Sequence, residues 1–111
     1  MKSARLFGVY TAELPFIESE DTKIRPVVVI SHPHSEYNMV VVIPISSRLK
    51  CETVDFQFQD WLQVGLLKPS VARVHRITTM LQADLKTELG VLSGSDTQKL
   101  KAALSKLLLL R

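Results

Sequence analysis

The chain has 111 residues, the length of one domain, and with 46% of them hydrophobic it can fill a core without help from a second domain. A formal charge of +3 admits an acidic partner such as RNA or an acidic protein without requiring one, and a single cysteine, Cys51, excludes an internal disulfide and a cysteine-built zinc site. No apolar run approaches the length of a membrane span, so a soluble protein of a reducing compartment, the cytoplasm, is expected.

In chain order, Leu6 to Leu14 (LFGVYTAEL) is rich in aromatic and β-branched residues, which predicts a strand over its first half with Gly8 marking a bulge. From Pro15 to Thr22 the composition turns acidic, with Glu18, Glu20 and Asp21 close together, and a mobile loop is expected. The next stretch, KIRPVVVIS from Lys23 to Ser31, organises the rest. Pro26 fixes its own φ and keeps Arg25 out of helical space, so the backbone enters Val27, Val28, Val29 and Ile30 already extended. Without a polar face, that strand must be covered on both sides, and Arg25 stands at its mouth.

SHPHSEYN reads as a turn, and Met39 to Ile45 (MVVVIPI) as a second apolar strand, with Pro44 marking either the end of a ladder or an edge. Two such strands are more apolar than one small core requires, which predicts a subunit interface on one face. Thr53 to Phe58 alternates, placing Val54, Phe56 and Phe58 on a buried face and Thr53, Asp55 and Gln57 on the other. Beyond Trp61 and a break at Gly65, Lys68 and Pro69 lead into the strand SVARVHRI, where a period of two makes Arg73 and His75 neighbours. Gly90 predicts the stop of a short helical turn from about Ala83 to Leu89. Ser95 with Gln98 forms a capping box for a last helix, whose apolar stripe is Leu100, Ala103, Leu104, Leu107 and Leu108.

The chemistry-bearing residues are few. His32 and His34 flank a proline, but no third ligand accompanies them, and a solvated turn is the simpler reading; no metal or cofactor is expected. Gly-rich phosphate loops, zinc-protease helices and nucleophile elbows are absent from the sequence, and Cys51 is given no role. Arg25, Ser46, Arg73 and His75 remain, each polar and each at the end or on one face of a predicted strand. On a plain solvent face they make scattered hydrogen bonds. Brought together, they suit metal-free RNA cleavage, which needs a base for the 2′-hydroxyl, an acid for the leaving oxygen and cations for the phosphorane.

KIRPVVVIS, then PISS, then GLLKPSVARVHRITTM, then ELGVLSGSD leading into the last helix, resemble in order the MazF and PemK (Kid) toxins of bacterial type II toxin-antitoxin pairs. The resemblance spans nearly the whole chain. It implies a mostly-β, SH3-like barrel with a C-terminal helix, a homodimer, and a metal-independent endoribonuclease acting on single-stranded RNA and neutralised by a small antitoxin. Arg25 matches the family's catalytic arginine before proline, Ser46 stands where many members have a threonine, and Arg73 matches an arginine of the PemK branch. His75 departs from the pattern, since that branch has an aspartate there. The Gly-Asp opening of the first strand is also missing, and the acidic loop before Lys23 is unlike the Gly-containing loop of many relatives. The resulting expectation is that Arg25 and Arg73 stabilise the phosphorane, His75 moves a proton, Ser46 orients the phosphate, and Lys23, Arg48, Lys68 and Arg76 bind RNA. The alternative is a non-catalytic toxin-fold protein that acts on a protein partner, as gyrase-binding toxins do; a pure RNA-stacking module is disfavoured by 6% aromatic residues.

Overall fold

The structure, a computed structural model, describes residues 3–15 and 22–109. The acidic loop expected between Pro15 and Thr22 therefore lies almost entirely outside the described residues. The two apolar runs form adjacent antiparallel strands, β2 (Thr22–Val29) and β3 (Met39–Ser46), in register from Val27↔Pro44 to Val29↔Val42. On the other side of β2 runs β1 (Gly8–Pro15). Short pieces complete a seven-stranded sheet: β4 (Phe56–Gln57), β5 (Val71–Ala72), β6 (Thr78–Leu81) and β7 (Leu85–Val91). Its order is β4-β5-β3-β2-β1-β7, with β6 also on β3. One edge of β3 is thus shared, its first half pairing β6 and its last residues pairing β5, and there the sheet parts.

Both faces of the central strands are buried inside the single chain. Val28, Ile43 and Ile45 point into one core with Val9, Phe58, Val64, Val74 and Leu100. Val27, Val29, Val40 and Val42 point into a second with Tyr10, Ala12 and Met80. Each fully buried valine adds roughly 1.5–3 kcal/mol, so two cores account for the apolar excess that had predicted a subunit interface on these strands. On these two strands Ile24, near the start of β2, is exposed, and exposed apolar side chains elsewhere include Tyr37, Leu62 and Leu67.

Several expectations need correction. Of the two readings of Pro44, the end of a ladder holds and the edge does not: it ends the β2–β3 ladder, and its carbonyl accepts a 2.8 Å bond from the Arg73 amide on the far side. The irregularity in β1 falls between Val9 and Ala12 rather than at Gly8. The segment from Ala83 to Leu89 is not helical; a 3₁₀ turn (Gln82–Asp84) leads into β7, which pairs with β1. Gly90 lies within that strand because a Cβ there would come 2.7 Å from the Val64 carbonyl oxygen, and Gly65, at φ +92°, is in a region that glycine alone enters freely. The C-terminal helix α1 (Gly94–Leu107) is capped by Ser93, not Ser95: the Ser93 hydroxyl accepts the Asp96 amide at 3.1 Å. Leu100 is buried, and Ala103, Leu104 and Leu107 pack on the first core, while Leu108 is exposed. Among the described residues no helix is long and apolar enough to cross a membrane.

Candidate active site

Arg25 lies on β2 and Ser46 ends β3, which has β2 on one edge and β5 on the other. Past the last β2–β3 pair, β3 passes to β5 through Ile45↔Ala72 and Ser46↔Val71. Continued two residues further, the β2–β3 register sets Arg25 opposite Ser46, and residues opposite one another across a ladder project from the same face. Arg25 is half-buried and pairs with Ala12 on its other side. The Ser46 hydroxyl accepts the Arg48 amide at 3.1 Å, which leaves its proton to be donated outward.

The predicted strand SVARVHRI ends after Ala72. At Arg73 the backbone turns (φ −86°, ψ 72°) into a 3₁₀ helix, Val74–Arg76, so the pleat does not make Arg73 and His75 neighbours. They meet instead on a third residue, Asp55. The Arg73 guanidinium is 3.3 Å from Asp55 Oδ2, and His75 Nδ1 is 2.7 Å from Asp55 Oδ1. The same Oδ1 accepts the His75 backbone amide at 3.3 Å, and Oδ2 accepts the Glu52 amide at 3.1 Å. The Asp55 side chain is fully buried, whereas that of His75 keeps 34% of its exposure.

Burial pushes the Asp55 carboxyl upward, but the hydrogen bond from His75 together with the Glu52 and His75 amides and the His75 charge outweighs it, and the group ends below the usual carboxylate value. Arg73 does further work on the same loop: it donates to the Arg48 carbonyl at 2.5 Å and to the Lys50 carbonyl. Only 8% exposed, it closes the chain from Ser47 to Asp55 onto β5. The expectation that Arg73 presents its charge to a phosphorane meets a guanidinium with three of its five N–H groups already bonded within the chain. The same loop replaces the first half of the strand expected from Thr53, with Asp55 donating back to the Glu52 carbonyl at 3.0 Å.

Asp55 was missed because alternation put it on a solvent face beside Thr53 and Gln57, both of which are exposed. Its burial depends on an arginine and a histidine about twenty residues later, which no local pattern encodes. Of the expected RNA-binding cations, Arg48 and Lys68 are exposed, Arg76 is half-buried on the 3₁₀ turn, and Lys23 enters through its backbone, paired with Leu14. His32 and His34 are exposed, and among the described residues no group of three or more His, Cys, Asp or Glu side chains gathers to hold a metal.

A family model described as PemK-like, MazF-like toxin of type II toxin-antitoxin system matches residues 5–108. The chain belongs to this family. Among solved structures it is similar to the Mycobacterium tuberculosis toxin MazF-mt6, with 24% identity over 94% of this chain and 98% of that one and a TM-score of 0.74. An endoribonuclease in complex with its cognate antitoxin, from a mycobacterial species, is 17% identical over 100% and 98% of the two chains, with a TM-score of 0.77. MazE-MazF from Deinococcus radiodurans is 16% identical over the whole of both chains, with a TM-score of 0.70. At such identities these likenesses bear on the fold, and they agree with a mostly antiparallel β domain closed by one C-terminal helix. No functionally curated protein matches the sequence.

Proposed function

We propose that this PemK/MazF-family toxin is a cytoplasmic, metal-independent endoribonuclease of single-stranded RNA. The observation that carries the reading is His75, a part-exposed imidazole held by a buried carboxylate at 2.7 Å. A ring so held can take a proton without losing its orientation. Arg25 supplies a fixed cation and Ser46 a hydroxyl donor for the scissile phosphate. His75 accepts the 2′-hydroxyl proton, the O2′–P bond forms as the P–O5′ bond breaks, and the departing O5′ takes a proton from water, leaving a cyclic phosphate. Lys23, Arg48, Lys68 and Arg76 bind the RNA backbone, and Arg73 acts from behind as the clamp of the loop.

The toxin works as a homodimer and is silenced by a cognate antitoxin, whose acidic segment competes with RNA for the cations around Arg25. Similar structures described as an endoribonuclease bound to its antitoxin and as MazE-MazF support an antitoxin partner.

The test is cleavage of a long RNA by purified protein with and without EDTA, with mapping of the new 5′ ends. Cleavage that survives EDTA and falls about 10²- to 10⁴-fold in His75→Ala, with RNA affinity little changed, is expected. A His75→Ala protein that cuts at the wild-type rate would overturn the assignment.

A further inference from the structure

Asp55 has four donors around one carboxylate. Oδ1 faces the His75 amide and His75 Nδ1, and Oδ2 faces the Glu52 amide and the Arg73 guanidinium. Three of these are N–H groups that cannot become acceptors under any protonation. A proton placed on the carboxyl would leave one of them facing another donor in a site with no solvent, so the proton shared at 2.7 Å belongs to the imidazole. From this geometry we infer that Asp55 is a positioning residue, which fixes the neutral ring of His75 as the Nδ1–H tautomer and so leaves the lone pair on Nε2 for the 2′-hydroxyl of RNA.

The inference rests on the reading of His75 as the proton carrier and adds the atom and its cause. The ring cannot present its other nitrogen by turning over, because His75 is bound twice to the same oxygen, by its backbone amide and by Nδ1, on a 3₁₀ turn whose first residue, Val74, is buried. Since the Asp55 side chain has no exposure, the open third of the His75 side chain belongs to the part of the ring away from Nδ1. Arg73 completes the relay. Its ion pair keeps Asp55 an acceptor, and its bonds to the Arg48 and Lys50 carbonyls keep Asp55 in place.

Asp55→Asn makes the inference sharp. An amide offers one oxygen and one NH2: turned toward Arg73 and Glu52 the NH2 would face two N–H groups that must donate, and turned toward His75 only one, the His75 backbone amide. It is therefore driven toward His75, where Nδ1 must turn acceptor and the proton must move to Nε2.

The experiment is ¹⁵N-resolved NMR of histidine-labelled full-length protein, at a pH where the His75 ring is neutral, together with single-turnover RNA cleavage. The expected wild-type spectrum shows a protonated Nδ1 and a pyridine-type Nε2. Asp55→Asn is expected to exchange the two signatures, and to lower the cleavage rate about 10²- to 10⁴-fold while RNA affinity changes little. A wild-type ring protonated on Nε2 overturns the inference, and so does an Asp55→Asn protein that keeps the wild-type rate. If Asp55→Asn does not fold, the wild-type spectrum decides alone. A protein that holds the Nδ1–H ring but cleaves no RNA refutes the nuclease reading and supports the tautomer, whereas an active enzyme with an Nε2–H ring does the reverse.

Discussion

Two aspartates in this small domain have buried side chains and do different things with them. Asp96, in the first turn of α1, accepts the Gln59 amide on Oδ1 and the Asp60 amide on Oδ2, both at 2.9 Å, while its own amide bonds to Ser93 Oγ. Both of its carboxylate partners are main-chain donors, so it ties the start of the helix to the loop after β4 and nothing more. Asp55 uses two of its four bonds in the same way, on Glu52 and His75 amides, but gives the other two to side chains, one a fixed cation and the other a ring open to solvent. Burial thus makes a carboxylate structural or chemical according to what it holds. A partner that can change protonation and reach the surface turns a fastener into a relay.

The largest effect expected from breaking this contrast is in Arg73→Ala. Removing the guanidinium leaves the Asp55 charge buried beside carbonyls that have lost their donor, and breaking a buried pair from one side costs about 3–5 kcal/mol. Denaturant midpoints should show a loss of that order, with cleavage falling in step as the loop from Ser47 to Asp55 detaches. A variant of near wild-type stability that has lost only RNA cleavage would instead return Arg73 to the phosphate.

Asp96→Asn should cost less and should separate the two aspartates. The amide oxygen can serve Gln59 or Asp60 but not both, and one buried N–H left facing an NH2 group costs about 1–3 kcal/mol. Measured where the variant is still folded, its rate of RNA cleavage should equal that of wild type. A rate loss like that of Asp55→Asn would mean that burial alone, and not the histidine, distinguishes Asp55.

The contrast also explains what could be read from the sequence. Continuous β-branched runs force extended, doubly covered strands, so β2 and β3 are legible from residues 23–45 alone, as is α1 from the spacing of Leu100, Ala103, Leu104 and Leu107. Leu85 and Leu89 mislead because a four-residue spacing suits a helix and a strand alike, and only the close approach of Val64 to Gly90 and the pairing with β1 decide. In the candidate site Arg25, Ser46 and His75 stand out as polar residues at strand ends. Asp55 does not, since an acidic residue alternating with Val54 and Phe56 looks like any solvent-facing strand position. Its partners lie eighteen and twenty residues on, and the turn at Arg73 that brings them over depends on the whole sheet.

The smallest effect is the one that vanishes in acid. Asp55 titrates below its ordinary value of 3.8 in the folded protein because the bonds it accepts favour the charged form more than burial disfavours it. A carboxyl with a depressed folded value binds fewer protons in the native than in the unfolded state, so the stability it contributes is complete above the unfolded value and disappears as the pH falls through the folded one. Acid should therefore weaken wild type progressively as the pH falls below the ordinary carboxylate value and through the lowered native one, beyond what the exposed carboxylates cause. Asp55→Asn carries no charge to lose there. Its urea midpoint, lower at pH 7, should fall less steeply with acid, so that the two curves converge. Parallel curves would mean that Asp55 is not held ionised by His75 and the Glu52 amide, and the relay would lose its electrostatic basis even if the side chains stay in contact.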